Sequence, residues 1–166
     1  MRLKPLLAFA ALALLALIAG PALADSHQVT AGDLVISSRV VRASIGRSPN
    51  TAAYMTIANR GAAPDRLMSA SCACAETVEI HVMQEMNGMM MMDDAGPMVV
   101  PAHGSVDFRP GGRHLMLNGL KERLTDGGEQ EITLVFEHAG PVTASFHIRA
   151  KVPLSAQPSR QQPPKH

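Results

Sequence analysis

The chain has no tryptophan, one tyrosine and four phenylalanines in 166 residues, too few rings for a surface that stacks nucleic-acid bases. Charge is scarce as well: the formal net charge is +1 at neutral pH, whereas a nucleic-acid surface needs a basic excess or patch. Both absences argue against binding to DNA or RNA. Hydrolase chemistry finds no foothold either, because Ser44, Ser69 and Ser71 lack a nucleophile-elbow pattern and no His-Glu-x-x-His zinc motif occurs. His103, His138 and His147 stand singly, and each is read as an ordinary structural or surface histidine. Beyond the first two dozen residues no apolar run approaches the roughly 20 residues that cross a bilayer, so the mature chain is expected to have no membrane insertion.

What the N-terminus does contain is an export signal. Arg2 and Lys4 precede an apolar stretch from Leu6 to Ala19, and Ala22-Leu23-Ala24 offers a small-x-small cleavage site before Asp25. The stretch is short for a membrane anchor. Residues 1–24 are therefore read as a cleaved signal peptide, with the periplasm as destination. The remaining 142 residues suffice for one domain with its own core. That domain is expected over 25–152. Residues 153–166 are Pro- and Gln-rich with almost no aliphatic side chains and read as a disordered tail.

Short runs of β-branched or alternating apolar residues predict strands at Asp33–Ala43, Ala52–Asn59, Arg66–Ala70, Thr77–Met83, Met98–Val100, Ser105–Phe108, His114–Leu117, Glu131–Glu137 and Val142–Lys151. Breakers such as Ser48-Pro49-Asn50, Asn87-Gly88, Arg109-Pro110-Gly111-Gly112 and Asp126-Gly127-Gly128 separate them. Gly119 to Leu124 has room for one helical turn at most. The fold class is all-β, an antiparallel sandwich or barrel.

Cys72 and Cys74 are the only cysteines. In an oxidising compartment a pair is usually bridged. On an extended strand, however, their Cα atoms would stand about 6.5 to 7 Å apart, at the long limit for a disulfide. A bridge needs a local bend. The pair reads either as a redox-labile disulfide or as two thiolates making a second copper contact.

The most telling feature is a methionine run. Seven of eleven methionines fall between Met83 and Met98, with His81-Val82-Met83 before the middle of that run and His114-Leu115-Met116 after it. Methionine is the adaptable filler of apolar cores, but Asn87, Gly88, Asp93, Asp94 and Gly96 suit a loop better than a core strand. Thioether is a soft neutral ligand and imidazole a borderline one, so the combination points to copper, above all Cu(I). Strand phase supports this. Side chains alternate faces, which puts Val78, Ile80 and Val82 on the core side and Glu79, His81 and Met83 on the other, and the same alternation sets His114 and Met116 opposite Leu115 and Leu117.

These residues resemble the periplasmic copper chaperone family PCu(A)C, whose signature is a histidine, ten residues, a methionine, twenty-one residues and a His-x-Met. His81, Met92, His114 and Met116 match that spacing without a gap. Gly32-Asp33-Leu34, Ala53 to Asn59, Val78 to His81 and Gly112 to Leu120 are also similar to the family, so that the resemblance covers about Gly32 to Val152. It implies a cupredoxin-like antiparallel β-sandwich of Greek-key type and a Cu(I) site made by those four side chains. It also implies a carrier that delivers copper to the copper-accepting subunits of cytochrome c oxidase or to another copper chaperone. Strand phase favours Met83 as the partner of His81, whereas the motif selects Met92 and is the more specific. Met83, Met90, Cys72 and Cys74 remain secondary metal candidates, and an additional Cu(II) place stays open. One departure is visible: Ser37-Ser38-Arg39-Val40 stands where the family often carries His-Pro-Trp.

Three other functions fit parts of the pattern. A blue-copper electron carrier needs a cysteine beside two histidines, and Cys72 lies ahead of His81 rather than near His114. A thiol-disulfide reductase of oxidase copper sites would use Cys72 and Cys74. Copper buffering or resistance would use the Met-rich run to hold several ions.

Overall fold

The computed structural model describes residues 28–152 apart from residue 87. The signal segment, 1–24, and the tail, 153–166, lie outside the described residues. Within them the chain forms eleven strands and no helix: β1 Val29–Ala31, β2 Leu34–Arg42, β3 Thr51–Asn59, β4 Asp65–Ser71, β5 Thr77–Met86, β6 Met89–Asp94, β7 Met98–Val100, β8 Ser105–Phe108, β9 Arg113–Asn118, β10 Glu129–Phe136 and β11 Gly140–Arg149. Among the described residues there is thus no helix long and apolar enough to cross a membrane.

The strands join into one curled sheet, ordered β6-β5-β9-β8-β3-β2-β11-β10-β4-β7, with β1 paired to β2 and an additional pairing of β9 to β3. Pairing is antiparallel except where β11 runs parallel to β2 and where Phe108 meets Arg113 in a single parallel bridge. Period-2 alternation explains why one face closes on itself. In β3 the residues Ala53, Met55 and Ile57 are buried and their neighbours are not, and β10 and β11 repeat this with Ile132, Leu134, Phe136 and Ala144, Phe146, Ile148. These side chains meet Leu34, Ile36, Leu67, Leu115 and Leu117 in a single apolar cluster. At about 1.5–3 kcal/mol for each fully buried large aliphatic side chain, this cluster holds β9 in register and with it the outward residues of that strand.

Nine of the eleven strands coincide with the predicted runs to within two residues at most boundaries; β5 runs three residues longer. Two were not foreseen. β1 is only three residues long, and β6 falls where the polar residues predict a loop. β6 is extended instead because it pairs along its whole length with β5, from Met86 opposite Met89 to His81 opposite Asp94. The two-residue connection, with Gly88 at φ 78°, has the left-handed backbone that short hairpins require. Every residue of β6 is exposed, so sequence polarity reported solvent rather than irregular backbone.

The segment from Gly119 to Leu124 makes no helical turn. Its amides are taken by other loops, Leu120 N–H by the Pro49 carbonyl at 2.7 Å and Lys121 N–H by the Cys74 carbonyl at 2.9 Å. In β2 the register shifts between Ser37 and Val40. Ser38 takes a positive φ of 52° there, and Arg39 is buried with its Nε unpartnered. This bulge falls where the sequence departs from His-Pro-Trp.

Candidate metal site

β5, at the centre of a three-strand array, sets the site. On one side it pairs with β9, Glu79 opposite Met116 and His81 opposite His114; on the other it pairs with β6, His81 opposite Asp94 and Met83 opposite Met92. Directly opposed residues share a face of the sheet. His81, Met83, Met92, His114 and Met116 therefore lie on one face, while Ile80, Leu115 and Leu117 lie on the buried one. Strand phase and motif spacing selected different methionines, Met83 and Met92, and the register makes them cross-strand partners.

β9 stops pairing with β5 at Val82, opposite Arg113. Beyond it, β5 and β6 continue as a two-stranded ribbon, and Met92 is 47% exposed. Met83, Met92, His114 and Met116 line a cleft of about 410 Å³ together with Tyr54, Ala52, Pro110 and Gly111. His81 is not among the cleft-lining residues, but its ring stands edge-on to that of His114, with centroids 5.8 Å apart.

Each imidazole has one nitrogen committed and one free. His114 is buried at 6% exposure, and its Nδ1 lies 3.1 Å from the Gly112 carbonyl. A carbonyl only accepts, so Nδ1 carries the proton and Nε2 keeps its lone pair. His81 Nε2 lies 2.9 Å from Glu79 Oε2, which makes Nε2–H the donor and leaves Nδ1 as the lone-pair nitrogen. That Nδ1 is buried without a hydrogen-bond partner. A buried polar atom left unpaired costs free energy unless something binds it, so this lone pair is open to a ligand.

Burial pushes the His114 imidazole below its ordinary pKa; the Gly112 carbonyl opposes that shift and nearby His81 reinforces it. Burial thus favours the neutral ring, the form that ligates. Among the described residues no three histidine, cysteine, aspartate or glutamate side chains group as a metal site. A four-donor side-chain set on this face would have to include methionine sulfur, a soft donor.

The other candidates fall elsewhere. Met90 shares the site face one row further out, opposite residue 85. Cys72 and Cys74 do not sit on a strand: they occupy the turn between β4 and β5, where their Cα atoms are 5.1 Å apart and the sulfurs are bridged. The bend that a bridge needs is present, and a bridged pair has no thiolate to offer a metal. Both sulfurs are at the Thr77 end of β5, away from His81. Glu79 and Gly112 are the positions without a role in the sequence reading. Glu79 had a signal, since strand phase puts it on the face of His81; the Gly112 carbonyl had none, because main-chain acceptors do not show in side-chain patterns.

Solved structures and sequence relatives agree with this architecture. The fold is similar to that of the copper-bound PCuAC domain from PmoF2, 28% identical, with a TM-score of 0.65 and coverage of 75% of this chain and 99% of that domain. It is similar also to the Cu(I) form of DR1885 from Deinococcus radiodurans, 27% identical, TM-score 0.58, covering 69% of this chain and 76% of that one. The chain thus has the cupredoxin-like β fold of PCuAC domains. In sequence, the "Putative lipoprotein Lxx21020" of Leifsonia xyli subsp. xyli is 31% identical over 117 residues, 70% of this chain and 69% of that protein. The uncharacterized protein RP573 of Rickettsia prowazekii is 34% identical over 95 residues, about half of its own length at 51%. Residues 34–148 match the family described as "Putative lipoprotein LpqE-like", and the chain belongs to that LpqE-like family.

Proposed function

We propose that this protein is an exported copper carrier that holds one Cu(I) ion through His81, Met92, His114 and Met116 and passes it to a copper-accepting subunit of cytochrome c oxidase or to another copper chaperone. The observation that carries the reading is the register: His81 opposite His114 and Met83 opposite Met92, all on one face with Met116. Similarity to copper-bound PCuAC domains supports the same reading. So does the resemblance to lipoproteins, which favours export to the periplasm.

Copper is cargo here, and each residue has a part in handling it. His114 would offer Nε2 and His81 Nδ1, each fixed by the hydrogen bond at its other nitrogen, the arrangement that orients metal-binding imidazoles generally. Met116 is held on β9 by the buried leucines beside it. Met92 approaches from the exposed β6, so it is the donor that an acceptor's ligand can replace first. Transfer by ligand exchange then needs no free ion. Two thioethers and two neutral imidazoles suit Cu(I) over Cu(II), which prefers nitrogen and oxygen. We read the protein as a carrier and not an enzyme. The Cys72–Cys74 bridge supplies a substrate for thiol exchange, but Cys74 is buried at 3% exposure, which gives the reductase reading little support.

X-ray absorption of the Cu(I)-loaded protein tests the site: two nitrogen and two sulfur neighbours are expected, and a copper shell without sulfur would sink the proposal. Delivery is tested by mixing the loaded protein with the soluble copper-accepting domain of an oxidase subunit. Copper should move to the acceptor without becoming accessible to a weak chelator in solution.

A further inference from the structure

The hairpin that carries Met92 has a second face, and that face carries methionines too. Met86 stands opposite Met89 in the β5–β6 register, and Met91 is two residues along β6 from Met89. Alternation puts all three on the side of the ribbon away from Met83, Met90 and Met92. Directly opposed Cβ atoms lie about 4.5–5.5 Å apart and diagonal ones about 7–8 Å. Three unbranched side chains with three rotatable bonds each can close that distance and bring their sulfurs together.

These methionines are not core filler. Met86 is 49% exposed, Met89 65% and Met91 44%, and β9 stops pairing before this part of β5, so the ribbon here is two-stranded. An apolar docking face would be served by any aliphatic side chain. Yet every exposed large apolar residue of the ribbon, from Met86 to Met92, is methionine, and the property those residues share beyond apolarity is thioether sulfur. Next to them on the same face stand Gln84 and Asp93, opposite Met91 and Val82; both are exposed and interrupt any continuous apolar patch.

We propose that Met86, Met89 and Met91 form a second, all-thioether site for a soft monovalent ion, Cu(I) or Ag(I), on the far face of the hairpin tip. Three neutral sulfurs suit such an ion and discriminate against Zn(II) and Cu(II), which favour nitrogen, oxygen or thiolate. The site is independent of the His/Met site because it shares none of its side chains, although the same two strands carry both. It gives the chain a capacity of two ions, the outer one held by exposed side chains at the hairpin tip.

The test is an anaerobic titration with Cu(I), and separately with Ag(I), following the methyl signals of 13C-labelled methionine. The wild type should take two equivalents: one shifts Met92 and Met116, the other shifts Met86, Met89 and Met91. The triple variant Met86→Leu, Met89→Leu, Met91→Leu keeps apolar surface and strand, and should take one equivalent while the Met92 and Met116 shifts persist. The double variant His81→Ala, His114→Ala should lose the first set and retain the second. Saturation of the wild type without shifts of Met86, Met89 and Met91, or a triple variant that still takes two equivalents, overturns the second site. Loss of the first set alone in the wild type would count against the His/Met site and leave this one standing. A triple variant of unchanged stoichiometry but weakened binding to an acceptor protein would assign the face to docking and refute the metal site.

Discussion

Removing the Glu79 carboxylate should weaken Cu(I) binding even though Glu79 is no ligand in the proposed site. Its Oε2 lies 2.9 Å from His81 Nε2, and the contact keeps the imidazole in the tautomer whose free nitrogen is the buried, unpartnered Nδ1. Without it the ring can place its proton on Nδ1 and rotate, so the free protein must restore tautomer and orientation before binding. Residues that orient metal-binding histidines in this way contribute about 10–100-fold in affinity, equivalent to about 1.4–2.8 kcal/mol. Glu79 is partly exposed, with 43% of its side chain accessible, so water can replace part of the contact and the lower half of that range is expected. Glu79→Ala should therefore weaken Cu(I) by about tenfold. Glu79→Gln, whose amide oxygen still accepts from Nε2–H, should fall between the variant and the wild type. The assay is anaerobic competition with a chromogenic Cu(I) chelator at pH 7.5, paired with 15N spectra that report the His81 tautomer. Wild-type affinity in Glu79→Ala, with the tautomer altered, would refute the reasoning; so would an equal loss in a variant of an exposed carboxylate remote from the site, such as Glu131→Ala.

Burial lowers the folded-state pKa of His114, so between its folded and unfolded values the unfolded chain binds more protons. Stability should be full above the ordinary histidine value of about 6.5 and decline as pH falls through the folded one; denaturation midpoints at pH 7.5 and 5.5 should differ less in His114→Leu than in the wild type. Asp65 is buried, which by itself would raise its pKa, but bonds from the His138, Arg66 and Ala139 amides and from the His138 ring outweigh that and lower it. Asp65→Ala leaves those three amides without their carboxylate and should cost about 2–4 kcal/mol in urea denaturation, and the wild type should lose this stabilisation only in acid, below the usual carboxylate range. Cys72→Ser opens the bridge in the turn between β4 and β5, which carries none of the proposed ligands, and sites without shared partners behave independently; Cu(I) affinity should stay within about twofold, while thiol-disulfide turnover above background in the wild type, lost in this variant, would favour the reductase reading.

Strand existence was legible because β-branched and alternating residues report burial directly: β3, β10 and β11 keep strict alternation of buried and more accessible residues. β6 was not, because both of its faces meet solvent and no apolar period marks it. What made it a strand was pairing, a non-local property signalled only by the Asn87-Gly88 turn. The four-residue motif placed His81, Met92, His114 and Met116 without reference to topology, and the register brings them onto one face. Phase along a single strand found Met83 but could not reach across the hairpin to Met92. The spacing of Cys72 and Cys74 shows that a bridge needs a bend but not that the bend exists; the turn between β4 and β5 supplies it and brings the Cα atoms to 5.1 Å. Glu79, whose face strand phase already gives, and the Gly112 carbonyl, which no side-chain pattern marks, set the imidazole tautomers.

Cu(I) affinity of Met92→Ala and Met83→Ala, measured side by side with the wild type by anaerobic chelator competition, tests the proposed site most directly. The two residues are cross-strand neighbours in the same cleft, so loss of packing or of local thioether density would affect them alike. A large loss for Met92→Ala, on the order of tenfold or more as for removal of a metal-orienting group, with a smaller one for Met83→Ala, is the expected result. Equal affinity in all three proteins would contradict the assignment, and a loss confined to Met83→Ala would move the sulfur ligand to the other strand.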